Sequence, residues 1–381
     1  MKLPEKKMLK NIDYLFVLTL LTILGISIAV MPSASATITS DPTYYAKKQL
    51  SWIFIGFIAM IIVLSIDYKH LQKYSKYLYI LNIIILLLVL SPLGHTAKGA
   101  QRWISIGPFV FQASEFAKIL VIITFADFLA KRQGKLENFK QFLPCFIFVG
   151  IPMLLVLTQP DLGTSLVFVA ILVGMMFIAG ANPKLLLGLF TGGLAAGIGL
   201  IYAHLKWGIW LPLKDYQLMR IIVFLNPYGD GMGGRGAGYQ IIQSQVAVGS
   251  GGLTGKGLFQ GSQVQLNFLP EHHTDFIFSV VGEELGFIGA FVILALYFFL
   301  IYRSIDIMAH AKDMFGLLMV AGVISMLVFH IFVNVGMAIG IMPITGLPLP
   351  MFSYGGSSML ANLIALGIIL NVNMRRKKII F

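Results

Sequence analysis

The sequence predicts an all-α integral membrane protein with about ten transmembrane helices, both termini in the cytoplasm and one large extracytoplasmic loop. Composition is the first observation behind this prediction. Of the 381 residues, 57% are hydrophobic and 12% are charged, and the mean hydropathy is +0.85. An ordinary globular domain carries about 25% charged residues. The second observation is that the apolar residues fall in runs of about 20, the length that crosses a bilayer as a helix.

Ten apolar runs follow one another along the chain, with edges defined to within a few residues. They are 12–31, 49–67, 76–93, 113–130, 139–158, 163–180, 184–205, 275–302, 313–340 and 356–373. We find no internal repeat, so residues 1–381 are expected to form a single polytopic domain. Residues 206–274 are the only long segment outside the predicted spans.

The distribution of lysine and arginine predicts the orientation of these spans, because short cytoplasmic loops are enriched in both residues. One side of the predicted membrane carries eighteen of them: Lys2, Lys6, Lys7, Lys10, Lys69, Lys73, Lys76, Lys131, Arg132, Lys135, Lys140, Lys184, Arg303, Lys312, Arg375, Arg376, Lys377 and Lys378. The short loops on the other side carry only Lys47, Lys48, Lys98 and Arg102. This asymmetry predicts cytoplasmic termini and places 206–274 outside the cytoplasmic membrane.

A net charge of +12 would also suit a nucleic-acid-binding protein. The basic residues, however, lie in short clusters between apolar runs and form no continuous stripe. This is the pattern of membrane topology, so we expect no nucleic-acid partner.

A cleaved signal peptide is an alternative interpretation of the first run, because “SASA” at 33–36 resembles a cleavage site. The preceding apolar stretch of about 20 residues is longer than the usual 7–15 residues of a signal peptide. Cleavage would also leave nine spans.

Two kinds of glycine-rich pattern occur in the seventh run and the loop that follows it. Gly188, Gly192, Gly193 and Gly197 form two G-x-x-x-G steps, which predict close helix packing. In the loop, “GDGMGG” (229–234) and “SGGLTGKG” (250–257) resemble nucleotide-binding motifs, but no strand precedes the first and the second lacks the required first Gly and the Ser/Thr after the lysine. The loop is expected either to cradle an anionic group with Arg220, Arg235 and Lys256 or to be flexible with solvated charges.

Ionisable residues near the predicted spans are the first candidates for function, because a charge inside a membrane is costly. Glu115 and Lys118 are three residues apart on one helical face, and Asp161 lies in the turn “TQPDLG”. His330 and Asn334 are four residues apart in the ninth run, before the Gly- and Pro-broken segment 342–358. Helix–helix hydrogen bonding would explain each feature alone. Together, on the outer side, they predict a polar cavity open to the outside.

The stretch “FLPEHHTDF” brings Glu271, His272, His273 and Asp275 together before the eighth run. Adjacent histidines point apart on a helix or strand, and no H-E-x-x-H motif is present, so the pattern does not favour zinc. A carboxylate that shares Mg²⁺ or Mn²⁺ with a substrate diphosphate fits the oxygen preference of these ions better.

Four stretches of the chain resemble the SEDS family (shape, elongation, division, sporulation). They are “KGAQRWISIGPFVFQASEFAK” (98–118), “QPDLGTSLVF” (159–168), “QSQVAVGSGGLTGKGLFQGSQVQLNFLPEHHTDFIFSVVGEELGFIG” (243–289) and “HIFVNVGMAIGIMPITGLPLPMFSYGGSSML” (330–360). The resemblance covers the whole chain. “QVQLNFLPE” is more similar to the elongation branch than to the division branch, and a sporulation paralogue stays open.

The resemblance implies a peptidoglycan glycosyltransferase that polymerises lipid II on the outer face of the bacterial cytoplasmic membrane during cell elongation and releases undecaprenyl diphosphate. It also implies a class B penicillin-binding protein as the transpeptidase partner, contact with the elongation machinery, and a divalent cation, Mg²⁺ or Mn²⁺. The essential aspartate of the family falls on Asp275. The glutamate and lysine of its fourth span fall on Glu115 and Lys118, and its cavity aspartate falls on Asp161.

In this interpretation Asp275 is the general base of an inverting glycosyl transfer, because low dielectric at the membrane interface would raise its proton affinity. Asp275 with the substrate diphosphate is the expected metal site. The predicted substrate-binding residues are Arg102, Glu115, Lys118, Asp161, Arg220, Lys256, His273 and Ser357. Glu284 follows Asp275 by nine residues, about 2.5 helical turns, so the two do not share a face. Glu283 and Glu284 are therefore expected to be internal ion-pair or hydrogen-bond partners.

Two other classes of function remain as alternatives. A lipid II flippase or proton-coupled transporter would also need buried carboxylates, but it should place them through the depth of the membrane. Here they collect on the outer side, which favours catalysis there. A scaffold that only recruits the transpeptidase would leave the intramembrane charges unexplained.

Overall fold

The computed structural model describes residues 11–376, apart from positions 93, 98–99, 107–108 and 212–213. The described part is mostly helical. Its elements are α1 (Tyr14–Ser35), α2 (Tyr44–Ser65), α3 (Tyr68–Lys73), α4 (Ser75–Leu90), β1 (Gly94–Ala97), β2 (Ala100–Ile106), β3 (Phe109–Gln112), α5 (Ala113–Ala130), α6 (Phe139–Thr158), α7 (Leu162–Ile178), α8 (Pro183–Trp207), α9 (Asp215–Leu225), α10 (Tyr239–Ser250), α11 (Ser262–Gln265), α12 (Ile277–Glu284), α13 (Gly286–Ala309), α14 (Met314–Ile339) and α15 (Gly356–Met374). Of the basic residues used to predict orientation, Lys2, Lys6, Lys7, Lys10, Lys98, Lys377 and Lys378 lie outside the described residues.

Seven of these helices are long and apolar enough to cross a membrane: α1, α2, α6, α8, α13, α14 and α15. The other three predicted spans coincide with α4, α5 and α7. Helices α4 and α7 are apolar but have only 16 and 17 residues, and α5 carries Glu115, Lys118 and Asp127. Membrane spanning by seven helices is thus confirmed by length and composition, whereas the count of ten stays a prediction.

The predicted eighth span, 275–302, is not one continuous helix, because a break at Leu285 and Gly286 separates α12 from α13. Gly286 has φ +67°, and a Cβ at this position would collide with the amide nitrogen of Gly255. The backbone of the loop around Gly255 packs against this break. The amides of Lys256 and Gly257 donate to the carbonyl oxygens of Glu283 and Glu284, at 3.0 Å each.

The purely α-helical fold class needs a second correction, because β1, β2 and β3 form an antiparallel sheet in that order. The strands have four, seven and four residues, too few for their alternation to emerge from the sequence. The sheet leads directly into α5 and carries Arg102 and Gln112 toward the neighbouring helices.

The core is centred on α14 and α15, which are mostly buried within the chain. Helix α14 packs against α5, α7 and α13, and α15 packs against α2. Helix α8 is almost entirely exposed. Cβ atoms added to its glycines Gly188, Gly192, Gly193 and Gly197 would meet nothing within 4 Å among the described residues. The close packing predicted from the G-x-x-x-G steps is therefore wrong within this chain.

The long loop predicted at 206–274 is partly ordered by α9, α10 and α11. Its “GDGMGG” stretch is organised by Asp230, whose carboxylate accepts hydrogen bonds from the amides of Met232, Gly234, Gly236 and Gly238 at 2.7–3.3 Å. These amide bonds lower the pKa of Asp230 to about 2, with the bond from Gly234 the largest contribution. The carboxylate thus occupies the backbone donors that a phosphate group would need.

Candidate functional site

Asp275 lies in a tight turn between the outer loop and α12. The carbonyl oxygen of Glu271 accepts hydrogen bonds from the amides of Thr274, Asp275 and Phe276, at 3.2, 3.1 and 3.3 Å. Asn334 of α14 fixes this turn from below, because its side-chain amide donates to the carbonyl oxygens of both Asp275 and Leu347, each at 2.8 Å. The Asp275 carboxylate is therefore held on a backbone that is anchored to the central helix.

Arg220 of α9 brings a positive charge toward the Asp275 carboxylate. Burial lowers the pKa of the Arg220 guanidinium, and the negative charge of Asp275 is the main influence in the opposite direction. Arg102 and Asp161 also influence the guanidinium. The guanidinium nevertheless carries its positive charge, because arginine is effectively always protonated in proteins. Asp275, Arg102 and Asp161 are thus within electrostatic range of Arg220, and we call the four together the charged cluster.

Arg102 and Asp161 meet through the sheet and the turn before α7. Atom Nη1 of Arg102 lies 3.9 Å from Oδ1 of Asp161, while its Nε donates to the carbonyl oxygen of Gln159 at 3.1 Å and its Nη2 donates to that of Pro160. Asp161 also caps α7 by accepting from the Thr164 amide at 3.1 Å. Gln112, a residue that the sequence did not single out, donates to Oδ2 of Asp161 at 3.3 Å.

Helix α9 is tied to the same turn by Tyr216, whose hydroxyl donates to the carbonyl oxygen of Pro160 at 3.1 Å. Tyr216 precedes Arg220 by one helical turn, so this bond helps to orient Arg220 toward Asp161 and Asp275. The signal was present in the sequence as a Tyr–Arg pair at i,i+4. Its partner, at residue 160, was not recognisable from the sequence.

Glu115, Lys118 and His330 form a buried polar triad between α5 and α14. The Lys118 ammonium lies 2.9 Å from Oε1 of Glu115 and 3.0 Å from Nε2 of His330. His330 Nδ1 lies 2.9 Å from the carbonyl oxygen of Met326. Because Nδ1 donates to that carbonyl, the lone pair at Nε2 is left to accept from Lys118. The sequence predicted the Glu115–Lys118 pair but not its connection to His330.

Ser357 and Lys256, two of the predicted substrate-binding residues, make contacts within the chain. The Ser357 hydroxyl accepts from the Gln112 amide at 3.1 Å and joins the end of β3 to α15. The Lys256 ammonium lies 2.7 Å from Oε1 of Glu283, a fully buried carboxylate. The roles of Ser357 and Lys256 in substrate binding stay predictions.

Glu283 and Glu284 are both internal partners, as the sequence indicated. Glu283 accepts from Lys256 and from the Gln263 amide, and Glu284 accepts from the Ser33 hydroxyl of α1 at 2.6 Å. They hold the outer loop and α1 against α12. Among the described residues, no group of three or more His, Cys, Asp or Glu side chains is arranged to hold a metal ion.

The fold and site together define a polytopic membrane protein with a charged cluster where its helices meet the outer loop. The sequence matches the FtsW/RodA/SpoVE cell cycle protein family over residues 11–378, and the chain belongs to this family. It is 39% identical to stage V sporulation protein E of Bacillus subtilis, over 95% of this chain and 96% of that protein. It is 38% identical to the peptidoglycan glycosyltransferase MrdB of Escherichia coli K12, over 96% and 95%.

A solved structure gives the same picture of the fold. It comes from work on the structural coordination of polymerization and crosslinking by a peptidoglycan synthase complex. The similar chain there has a TM-score of 0.79 and 29% sequence identity, and the match covers 96% of this chain and 99% of that chain.

Proposed function

We propose that this chain is a peptidoglycan glycosyltransferase that polymerises lipid II at the outer face of the bacterial cytoplasmic membrane. The observation that carries the proposal is the Asp275 carboxylate, which lies on a turn anchored by Asn334 and within electrostatic range of Arg220. The naming of a relative at 38% identity as a peptidoglycan glycosyltransferase supports it.

In the proposed reaction Asp275 is the general base. The O–H bond of the acceptor GlcNAc 4-hydroxyl breaks, and its proton moves to the Asp275 carboxylate. The oxygen attacks C1 of the MurNAc on the donor chain from the side opposite the leaving group. The new O4–C1 bond forms as the bond from C1 to the phosphate oxygen breaks, and undecaprenyl diphosphate leaves with the electron pair. The configuration at C1 is therefore inverted.

Arg220 and Arg102 are the groups proposed to stabilise the leaving diphosphate. Fixed positive charges in a site of low dielectric favour the transition state in which negative charge develops on the leaving oxygen. Arg220 is also within electrostatic range of Asp275, so its charge would act on both the base and the leaving group. Lys118 is engaged with Glu115 and His330, which suggests that it supports the site from within.

A Mg²⁺ or Mn²⁺ ion is part of the proposal. The described residues hold no cluster of three metal-binding side chains, so the ion would depend on phosphate oxygens of the substrate together with Asp275. Bound there, it would neutralise the leaving diphosphate.

The proposed partner is a class B penicillin-binding protein, which would cross-link the glycan strands as they emerge. The similar chain of known structure is part of a complex that coordinates polymerization and crosslinking. We assign the chain to cell elongation, as in RodA, on the “QVQLNFLPE” stretch. The sporulation protein of Bacillus subtilis, at 39% identity, is the competing assignment within the family.

Polymerisation of lipid II by the purified chain tests the proposal. The chain is incubated with lipid II, with and without Mg²⁺ or Mn²⁺ and a cognate class B penicillin-binding protein, and the glycan is resolved on a gel. We expect polymer from the wild type and none from Asp275→Ala. Asp306→Ala is the matched control, because Asp306 of α13 pairs with Arg303 and His310.

Equal polymer from the wild type and Asp275→Ala would remove Asp275 as the base. No polymer under any condition, with lipid II crossing the membrane of liposomes that contain the chain, would identify a flippase instead.

A further inference from the structure

Three aromatic side chains from distant parts of the chain converge beside the turn that carries Asp275. They are Tyr45 in the first turn of α2, His273 in the turn itself, and Tyr354 just before α15; we call them the aromatic platform. The ring centroids of Tyr45 and His273 are 4.9 Å apart, and those of Tyr45 and Tyr354 are 4.7 Å apart. The Tyr354 amide donates to the His273 carbonyl oxygen at 3.0 Å, which fixes the relation between two of the segments.

The rings of the platform pack against one another and against a neighbouring ring. Tyr45 and Tyr354 meet edge to face at an interplanar angle of 80°, and the Tyr45 ring also contacts the rings of His273 and Tyr44. All three residues of the platform are only partly buried. Neighbouring Tyr44, which is 39% exposed, packs against Tyr45 and carries the Lys48 ammonium 4.5 Å from its ring centroid. The platform is therefore apolar on its ring faces and positively charged at its edge.

The platform adjoins the proposed base. His273 precedes Asp275 by two residues in one turn, so their Cα atoms are at most about 7 Å apart. A group that rests on the platform is therefore close to the turn that carries the Asp275 carboxylate.

We propose that the aromatic platform binds the pyranose ring of the acceptor sugar and presents its hydroxyl to Asp275. This inference rests on the proposed glycosyl transfer. The C–H bonds on the face of a pyranose ring carry partial positive charge, and the face of an aromatic ring is negative, so the two attract each other. The sugar hydroxyls lie around the rim of the pyranose, where they remain available to polar groups. A set of partly exposed rings next to a carboxylate is the arrangement that this contact requires.

The platform is expected to act on binding and not on proton transfer. Tyr45 and Tyr354 would hold the acceptor in both the ground state and the transition state, which changes KM more than kcat. Removing one aromatic ring should raise KM by about 10-fold, and a different aromatic ring at the same position should restore most of the affinity.

The test compares Tyr354→Leu and Tyr45→Leu with Tyr354→Phe in the purified full chain with its cognate penicillin-binding protein. Initial rates of lipid II polymerisation give kcat and KM, and the apparent Kd for fluorescent lipid II is measured separately. Thermal unfolding checks that each variant is folded. Tyr77→Leu is the matched control, because Tyr77 of α4 is 69% exposed and packs only beside Tyr74 among its aromatic contacts in the described chain.

We expect both leucine variants to raise KM and Kd about 10-fold with kcat within about 3-fold, and Tyr354→Phe to recover KM to within about 3-fold of the wild type. Wild-type KM and Kd in the folded leucine variants would overturn the platform and leave the proposed function intact. A fall in kcat alone, shared by Tyr354→Phe, would also overturn it and show that the rings only support the turn. A wild type that neither binds nor polymerises lipid II would refute the proposed function and the platform together.

Discussion

At the scale of single residues, the charges inside this protein are stabilised by partners on other helices. Lys118 is an almost completely buried example, and its ammonium contacts Glu115 on its own helix and His330 on α14. Breaking a buried ion pair by removing one member costs about 3–5 kcal/mol, since the other charge remains without compensation. An exposed pair contributes about 1 kcal/mol or less.

Replacement of Lys118 by methionine should therefore lower the stability of the chain by about 3–5 kcal/mol. The double variant Glu115→Gln, Lys118→Met should recover more than half of this loss, because no charge is then left buried. Lys131→Met is the matched control: Lys131 also pairs with an aspartate on α5, Asp127, but its side chain is 67% exposed. Unfolding in detergent measures all three, and equal losses for Lys118→Met and Lys131→Met would contradict the buried-pair account.

At the scale of elements, the glycine-rich loop segments have a structural role that differs from that of the nucleotide-binding motifs they resemble. The “SGGLTGKG” stretch packs against the break between α12 and α13, and its backbone amides donate to the last carbonyl oxygens of α12. The amides of Phe287 and Ile288 at the start of α13 donate back to Gly252 and Leu253. Close approach of two backbones, and not phosphate binding, explains these glycines.

Gly286→Ala should destabilise the chain by about 2 kcal/mol or more. Residue 286 has a positive φ, and the new methyl group would collide with the backbone at Gly255. Gly199→Ala in α8 provides the control, since a Cβ there meets nothing within 4 Å. Its effect should stay below about 1 kcal/mol in either direction. Similar thermal midpoints for the two variants would exclude close packing at the break.

The loop around Asp230 should lose its order in acid. The pKa of Asp230 is lowered from 3.8 to about 2 in the folded loop, so the carboxylate stabilises the loop fully above pH 3.8. That contribution declines as the pH falls from 3.8 through about 2, where the carboxylate becomes protonated. Hydrogen exchange of residues 232–238, corrected for intrinsic rates, should show falling protection over this interval. Asp230→Ala should have low protection at every pH; a persistent pH dependence in this variant would assign the effect to another group.

At the scale of the whole molecule, the apolar helices form a bundle around α14 and α15, and the charged cluster lies where α5, α7 and α15 begin and α6 and α14 end. The orientation of this bundle in the membrane rests on lysine and arginine placement. It predicts that the loop between α1 and α2 faces outward and the loop between α5 and α6 faces the cytoplasm.

Cysteine labelling in intact cells tests this orientation. A membrane-impermeant maleimide should label Ser40→Cys without lysis and Lys135→Cys only after lysis; both positions are exposed. The single native cysteine, Cys145, is buried and serves as the unlabelled background. Labelling with the opposite pattern would invert the topology and place Asp275 on the cytoplasmic side.

The sequence by itself determined the class of protein, the approximate position of each long helix and the residues whose charges need an explanation. These features follow from composition, from run length and from local spacing, as in the i,i+3 pair of Glu115 and Lys118. Only the tertiary structure decided that Arg220 comes within electrostatic range of Asp275, that Arg102 reaches Asp161 and that His330 completes the Lys118 site. Each of these pairs joins residues more than 50 positions apart, and helix crossings, a short sheet and a backbone break bring them together. No local periodicity carries that information, because it arises only when the elements pack.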